Sequence, residues 1–280
     1  MPSHGYLSPV RDEEYSGNVD AAPVRTPLGN IARGLDDASA WRPWADPEVV
    51  DTTPSTMIEV EQRAQAGAAE GTVVVAEHQS SGRGRQGRHW ESVRYAGLWM
   101  SLLLRPAVSP TRLGWLPLIV GLGVARGLRG AGAAEAVLKW PNDVLLPLGK
   151  VAGILAERLP DGAVVVGIGI NVDHGRDELP DGATSLRLSG VPARRDDVLV
   201  GVLDEVASAY RAWSEGDDLR EDYRRWCVTL GSQVTAQAPE GPLSGLAAGV
   251  DDLGRLLVVV PGGERIALSA GEVAIVRPPM

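Results

Sequence analysis

The fold of this chain is decided by the stretch Gly82-Arg-Gly-Arg-Gln-Gly-Arg-His-Trp90, which follows an apolar, β-branched run at 72–77. Its glycines allow a ligand to approach the backbone closely. Its arginines supply forked donors suited to phosphate and carboxylate groups. The stretch therefore predicts a mobile anion-binding loop that closes over a bound intermediate.

Two other interpretations of this loop compete with the first. A solvated basic loop or an Arg/Gly-type RNA-binding segment would have a similar composition. Trp90 and the flanking strands argue against both. The loop is not a phosphate-binding P-loop, because it lacks the Lys-Ser/Thr ending and does not open a helix.

The next motif along the chain is Lys139-Trp-Pro-Asn-Asp143. Pro141 interrupts strand pairing and so places Asn142 and Asp143 in a turn between apolar strands. An amide and a carboxylate there could hold Mg²⁺ beside phosphates. Ordinary turn chemistry accounts for the same two residues, so the pentapeptide alone does not decide between them.

Two further motifs lie on predicted strands, Lys150-Val-Ala-Gly-Ile-Leu-Ala-Glu157 and Gly167-Ile-Gly-Ile-Asn171. Lys150 begins an otherwise apolar strand, where a lysine can pair with a ligand carboxylate, although solvent-facing lysines are more common. Glycines inside a strand often mark a close backbone approach. A weakened strand that ends in the turn residue Asn171 is the simpler alternative.

Around these motifs the pattern indicates alternating helices and strands, and then a small all-β region. Ser55 and Thr56 can cap a helix over 59–69. Helices are also predicted at 113–128, 196–213 and 219–226, and strands at 72–77, 98–104, 136–140, 151–158 and 164–172. Asp161-Gly162 predicts a two-residue hairpin link. After Cys227, short strands at 231–237, 245–250, 256–260 and 265–268 predict a small β-barrel.

Composition limits the class of protein. The formal net charge is −9 among 280 residues, which argues against a free-standing nucleic-acid binder. A single cysteine excludes an intrachain disulfide. The first 20 residues show no signal peptide, and the longest apolar stretch is too short to span a bilayer. We therefore expect a cytoplasmic protein whose tail is disordered or irregular and too short for a winged helix-turn-helix.

These four motifs in this order resemble those of the biotin protein ligase family, with the strongest match over 53–172. The resemblance implies an α+β fold, namely a class II synthetase-like mixed or antiparallel sheet with helices, followed by a small SH3-like β-barrel. It divides the chain into a tail at 1–45, a biotin- and ATP-binding catalytic domain at 46–227 and an SH3-like domain at 228–280. The short tail is typical of the monofunctional type without a DNA-binding domain.

The resemblance also implies site residues. Lys150 matches the lysine near the biotin carboxylate and the reacting phosphate. We assign catalysis to Lys150, Arg85 and Asp143, and Asp143 is the candidate Mg²⁺ ligand. The implied biotin-binding residues are Ser55, Thr56, Gln79, Arg83, Gly84, Arg85, Trp90, Lys150 and Gly153. The implied ATP-binding residues are Arg88, Lys139, Asn142, Asp143 and Asn171. Met57 departs from the family pattern, which has Asn at this position.

The implied reaction activates biotin with ATP and Mg²⁺ to biotinyl-5′-AMP and transfers biotin to a lysine of a biotin carboxyl carrier protein or domain. The expected partners include neither DNA nor a membrane, and we expect a monomer or weak homodimer. A lipoate or octanoate ligase, which shares the catalytic architecture, is the nearest alternative. A non-enzymatic RNA or DNA binder that uses the arginine loop is the alternative from another class.

Overall fold

The main sheet of the protein has seven strands. The structure, a computed structural model, describes residues 25–29, 44–238, 241–269 and 273–276. The strands are β1 (Glu48–Val50), β2 (Val73–Ala76), β3 (Gly97–Leu104), β4 (Val137–Lys139), β5 (Asp143–Leu146), β6 (Gly149–Arg158) and β7 (Val164–Asn171). Their spatial order is β1-β2-β3-β7-β6-β5-β4. Only the β1–β2 pair of this sheet is parallel, which makes the sheet mixed.

Helices cover both faces of this sheet. They are α1 (Thr56–Gln65), α2 (Leu116–Gly130), α3 (Arg195–Glu215) and α4 (Arg220–Trp226). On one face α2 packs closely against α3. Only glycine fits at positions 123 and 127, because a Cβ there would lie 2.6 Å from a Cα atom of α3. On the other face α1 packs against β2, β3 and β7. Burial on both faces explains why β2 and β3 are continuous apolar runs rather than alternating ones.

A second, smaller antiparallel sheet follows the helices. Its strands are β8 (Gln233–Ala238), β9 (Gly241–Val250), β10 (Leu256–Val259), β11 (Arg265–Leu268) and β12 (Val273–Ile275), in the order β11-β10-β9-β8-β12. Two tryptophan indoles attach it to the larger part. Trp115 donates to the Asp251 carbonyl at 2.9 Å and Trp140 donates to the Gly254 carbonyl at 3.1 Å. The small sheet is thereby bonded directly to Trp140 of the Lys-Trp-Pro-Asn-Asp motif.

The predicted fold class is confirmed, with differences in the bounds of the elements. Helix α1 begins at Thr56 because the Ser55 hydroxyl accepts from the Met57 N–H at 3.3 Å. Helix α2 begins at Leu116, since Pro110–Trp115 forms a 3₁₀ turn before it. Residues 159–163 join β6 to β7, so the predicted two-residue link is wrong. Strands β1, β5 and β12 were not predicted.

Most of the expected tail at 1–45 lies outside the described residues. Residues 25–29 have no regular secondary structure. Within the residues that the structure describes, no helix is both long enough and apolar enough to cross a membrane.

Candidate active site

Two of the cavities that open beside the Gly/Arg loop adjoin each other. The larger has a volume of about 310 Å³ and the smaller about 50 Å³. Both are lined by the same five residues, which form the boundary between them: Gly84, Arg85, Trp90, Asn142 and Lys150. A ligand in one cavity therefore lies next to a ligand in the other, and both meet the cations Arg85 and Lys150.

The floor of the smaller cavity is a pair of facing glycines on adjacent strands. Gly153 of β6 pairs with Gly169 of β7. The Trp90 ring lies directly over them, because a Cβ would come within 2.8 Å of the ring at Gly153 and within 2.6 Å at Gly169. The Trp90 indole N–H is buried and has no hydrogen-bond partner among the described residues. These glycines are required for the close approach that the sequence predicted.

The inner wall of the smaller cavity is a chain of buried, uncharged polar groups. The Gln79 Oε1 atom accepts from the Thr56 N–H at 2.8 Å and from its hydroxyl at 3.2 Å. The same hydroxyl lies 2.8 Å from the Ser101 hydroxyl. These side chains are at most 8% exposed. Because they satisfy one another, their orientation is set before any ligand binds.

Met57 also lines the smaller cavity and is buried. Its sulfur would lie 2.9 Å from a Cβ at Gly167, so the side chain packs flat against β7. At this position the family pattern has Asn. The chain therefore presents an apolar surface where a side-chain amide was expected.

Short-range backbone bonds shape the Gly/Arg loop. The Gly84 N–H donates to the Arg88 carbonyl at 2.8 Å and the Trp90 N–H to the Gly82 carbonyl at 2.9 Å. A Cβ at Gly82 would lie 2.4 Å from the Trp90 carbonyl oxygen, so only glycine fits there. The Arg83 guanidinium lies 3.6 Å from the Glu157 carboxylate on β6. The loop is thus folded back over the strand that carries Lys150.

Opposite charges meet at the boundary between the cavities. The Lys150 Nζ atom lies 2.6 Å from Asp143 Oδ1 and 5.2 Å from the centre of the Trp90 ring. Arg85 donates to the Asn142 side-chain oxygen at 3.1 Å, and the Asn142 amide donates to the Ile154 carbonyl at 2.9 Å. Burial lowers the pKa of Arg85 and nearby Asp143 opposes that shift. Lys150 is thus paired with a carboxylate at the boundary between the two cavities.

Loops and the second sheet form the far wall of the larger cavity. Asn171 donates to the Thr184 carbonyl at 3.0 Å, and Val273 reaches the cavity from the small sheet. His174 is buried and stacks on Trp99 with ring centres 5.5 Å apart. Burial lowers the pKa of His174 to about 4, so its imidazole is neutral at pH 7. Glu178 lies farther along the same loop.

All the residues singled out from the sequence line one cavity or both. The smaller cavity is lined by Ser55, Thr56, Gln79, Arg83, Gly84, Arg85, Trp90, Lys150 and Gly153. The larger is lined by Arg88, Lys139, Asn142, Asp143 and Asn171. Sequence reasoning missed Ser101, His174 and Glu178. Of these only Ser101 gave a signal, as the one hydroxyl in the apolar strand β3. No group of three or more His, Cys, Asp or Glu suited to a metal ion occurs among the described residues.

Comparisons with known proteins agree with this geometry. Residues 48–174 match the biotin/lipoate A/B protein ligase family, and residues 229–276 match the biotin protein ligase C-terminal domain. A biotin--[acetyl-CoA-carboxylase] ligase of Mycobacterium tuberculosis is 39% identical over 269 residues, which span 92% of this chain and 100% of that protein. A bifunctional ligase/repressor of Bacillus subtilis is 34% identical over 79% of this chain and 71% of that protein.

A solved structure is also similar. The biotin protein ligase of Aquifex aeolicus, in complex with biotin and ATP, superposes with a TM-score of 0.71 and 31% identity, covering 83% of this chain and 99% of that chain. The likeness extends over both sheets, since the match includes nearly the whole of that ligase.

Proposed function

Because the chain belongs to the biotin/lipoate A/B protein ligase family, we propose that it is a biotin protein ligase, which attaches biotin to a lysine of a carboxyl carrier protein in two ATP-dependent steps. The observation that carries the proposal is the shared boundary of the two cavities. One cavity takes biotin and the other ATP, and the reacting groups meet beside Lys150 and Arg85.

In the first step, a biotin carboxylate oxygen attacks the α-phosphorus of ATP. A P–O bond forms and pyrophosphate leaves, giving biotinyl-5′-AMP. Two anions must come together, so fixed cations lower the barrier. We assign Lys150 and Arg85 to the carboxylate and the reacting phosphate, and Arg88 to the phosphates. Lys139, Asn142 and Asn171 would hold the nucleotide.

Binding of biotin is assigned to the smaller cavity. The neutral chain Ser55–Thr56–Gln79 would hydrogen-bond its polar ring atoms, while Trp90 and Gly153 enclose its apolar part. Arg83 and Gly84 belong to the loop that would fold over the adenylate. Exclusion of water by this loop would protect the mixed anhydride from hydrolysis.

In the second step, the carrier lysine amine attacks the acyl carbon of the adenylate. An amide bond forms, AMP leaves with the bonding electrons of the mixed anhydride, and the neutral amine loses one proton. Asp143, which lines the larger cavity beside Lys150, is the carboxylate that we assign to orient the amine and accept a proton. The 2.6 Å contact of Asp143 with Lys150 supports this assignment.

We propose that Mg²⁺ accompanies ATP. The donor chemistry fits, because the Asp143 carboxylate lines the larger cavity, and Mg²⁺ typically binds one or two carboxylates together with phosphates and water. When bound, the ion would neutralise phosphate charge. We further propose that the protein acts in the cytoplasm as a monomer or weak homodimer.

A direct test incubates the purified full chain with Mg-ATP, a biotin carboxyl carrier domain and one of three acids: biotin, lipoate or octanoate. We expect biotin-dependent pyrophosphate release and covalent biotin on the carrier. A carrier whose acceptor lysine is replaced by arginine should permit the first step and abolish the second. Greater turnover with lipoate or octanoate would overturn the assignment of biotin, and no acid-dependent pyrophosphate release would overturn the ligase itself.

A further inference from the structure

A short segment from the N-terminal part of the chain, residues 25–29, is bound to the rim of the larger cavity. Its first residue makes a two-point ion pair. Arg25 Nη1 donates to Glu178 Oε1 at 2.9 Å and Nη2 to Oε2 at 2.5 Å. Nη2 also donates to the Asp173 carbonyl at 2.8 Å. The side chains of Arg25 and Glu178 are 18% and 32% exposed, so the pair is partly shielded from solvent.

The remainder of the segment is fastened to the body of the protein. The Leu28 N–H donates to Glu77 Oε1 at 2.5 Å, and Glu77 forms a buried ion pair with Arg195. The Gly29 N–H donates to Asp196 Oδ1 at 3.1 Å, and Leu28 packs against the main core. These bonds attach the segment to the residue that follows β2 and to the start of α3, so Arg25 is held beside Glu178.

The partner of Arg25 is a wall residue of the larger cavity. Glu178, Leu179 and Pro180 line it consecutively, whereas Arg25 stands behind them. The loop is acidic, since it also carries Asp177 and Asp181. Arg25 lowers the pKa of Glu178 to about 2, so the carboxylate is charged at any working pH. An uncompensated carboxylate in this wall would repel the phosphates of ATP.

The loop's own arginine is engaged elsewhere. Arg176 donates to the carbonyls of Ala183, Leu179 and Pro180 at 2.8, 3.0 and 2.8 Å. Those bonds shape the loop, but they do not pair Arg176 with Glu178. The only salt bridge the structure gives Glu178 among the described residues comes from Arg25, which is 153 positions away in the sequence.

We propose that Arg25 is a positioning residue for the nucleotide: it neutralises Glu178 and fixes the 174–183 loop, so that segment 25–29 is a working part of the ATP-binding wall. The inference rests on the proposed function, because it assigns ATP to the larger cavity. Arg25 acts through Glu178 and does not line the cavity itself.

The test measures biotin-dependent pyrophosphate release by the full chain while ATP and biotin are titrated separately. Arg25→Ala should raise KM for ATP about tenfold, equivalent to about 1.4 kcal/mol, and leave KM for biotin within about twofold. Arg25→Lys keeps the charge without the two-point geometry, and its KM for ATP should lie between those of the wild type and Arg25→Ala. Arg25→Ala combined with Glu178→Gln should recover much of the ATP affinity, because the unpaired charge is gone.

Arg105→Ala is the matched control. Arg105 also bridges a carboxylate and a carbonyl, Asp161 at 2.7 Å and Ala68 at 3.3 Å, but it lies outside the walls of both cavities. It should leave both KM values unchanged. The inference is overturned if Arg25→Ala leaves KM for ATP unchanged, raises both KM values equally, or is not relieved by Glu178→Gln. The proposed function fails separately, if the wild-type chain itself releases no pyrophosphate.

Discussion

The two cavities are formed by different structural elements and lined by different kinds of polar group. Strands, the start of α1 and the Gly/Arg loop form the smaller one, and the polar groups on its inner wall, such as Thr56 and Gln79, are neutral and mutually bonded. Loops from distant parts of the chain form the far wall of the larger one, which contains charged groups paired across long sequence separations. With biotin assigned to the smaller cavity and ATP to the larger, we expect the binding of each to be weakened independently of the other.

Lys150 lines both cavities, so its removal should have the largest effect. Lys150→Ala should slow adenylate formation by about 100-fold or more, because one preorganised cation at developing charge contributes about that much. The rate is measured as single-turnover formation of biotinyl-5′-AMP. Arg158→Ala, at the exposed far end of the same strand, is the control and should retain the wild-type rate. Adenylate formation within threefold of wild type in Lys150→Ala would remove this residue from the mechanism.

His174, which lines the larger cavity, should make the stability of the protein depend on pH. Burial lowers its folded-state pKa to about 4, with Glu178 and Arg25 nearby acting in opposite directions. The unfolded chain, with an ordinary pKa near 6.5, then binds more protons between these values. His174 therefore contributes stability fully above about pH 6.5 and loses it as the pH falls toward 4, by about 2–3 kcal/mol.

Urea unfolding at pH 7.5, 5.5 and 4.5 tests this expectation. Wild type should lose more stability on acidification than His174→Gln does. His89→Gln, which removes an exposed histidine from the Gly/Arg loop, is the matched control and should follow the wild type. Parallel curves for wild type and His174→Gln would show that the buried imidazole is not a source of acid sensitivity.

The comparison between the cavities also explains what the sequence could reveal. Each motif is contiguous, and the sheet register then brings Gly153 beside Gly169 and Lys150 near Asp143, so local patterns were sufficient to find them. The pairing of Arg25 with Glu178 was not predictable, because it depends on how distant segments pack. The Ser55 cap of α1 was predicted correctly, but the predicted helix at 59–69 missed the first turn and extended past the observed end of α1 at Gln65.

The smallest expected effect comes from Thr56 in the smaller cavity, and it tests whether the two cavities act independently. Thr56→Val keeps the shape of the side chain but removes a hydroxyl that bonds Gln79 at 3.2 Å and Ser101 at 2.8 Å. It should cost about 1–2 kcal/mol of unfolding free energy, because two buried polar groups each lose a partner. KM for biotin should rise about five- to tenfold, because Gln79 loses one of the two hydrogen bonds that orient it. KM for ATP should not change, because Gln79 lines only the smaller cavity.

Thr53→Val is the control for that change. Thr53 is also buried and loses a hydroxyl bond, of 2.7 Å to Glu59, but it lies outside the smaller cavity. A similar loss of stability without a rise in KM for biotin would separate the cavity's polar chain from general packing near α1. An equal rise of both KM values in Thr56→Val would show instead that the two cavities are coupled, because the neutral inner wall would then support the nucleotide side as well.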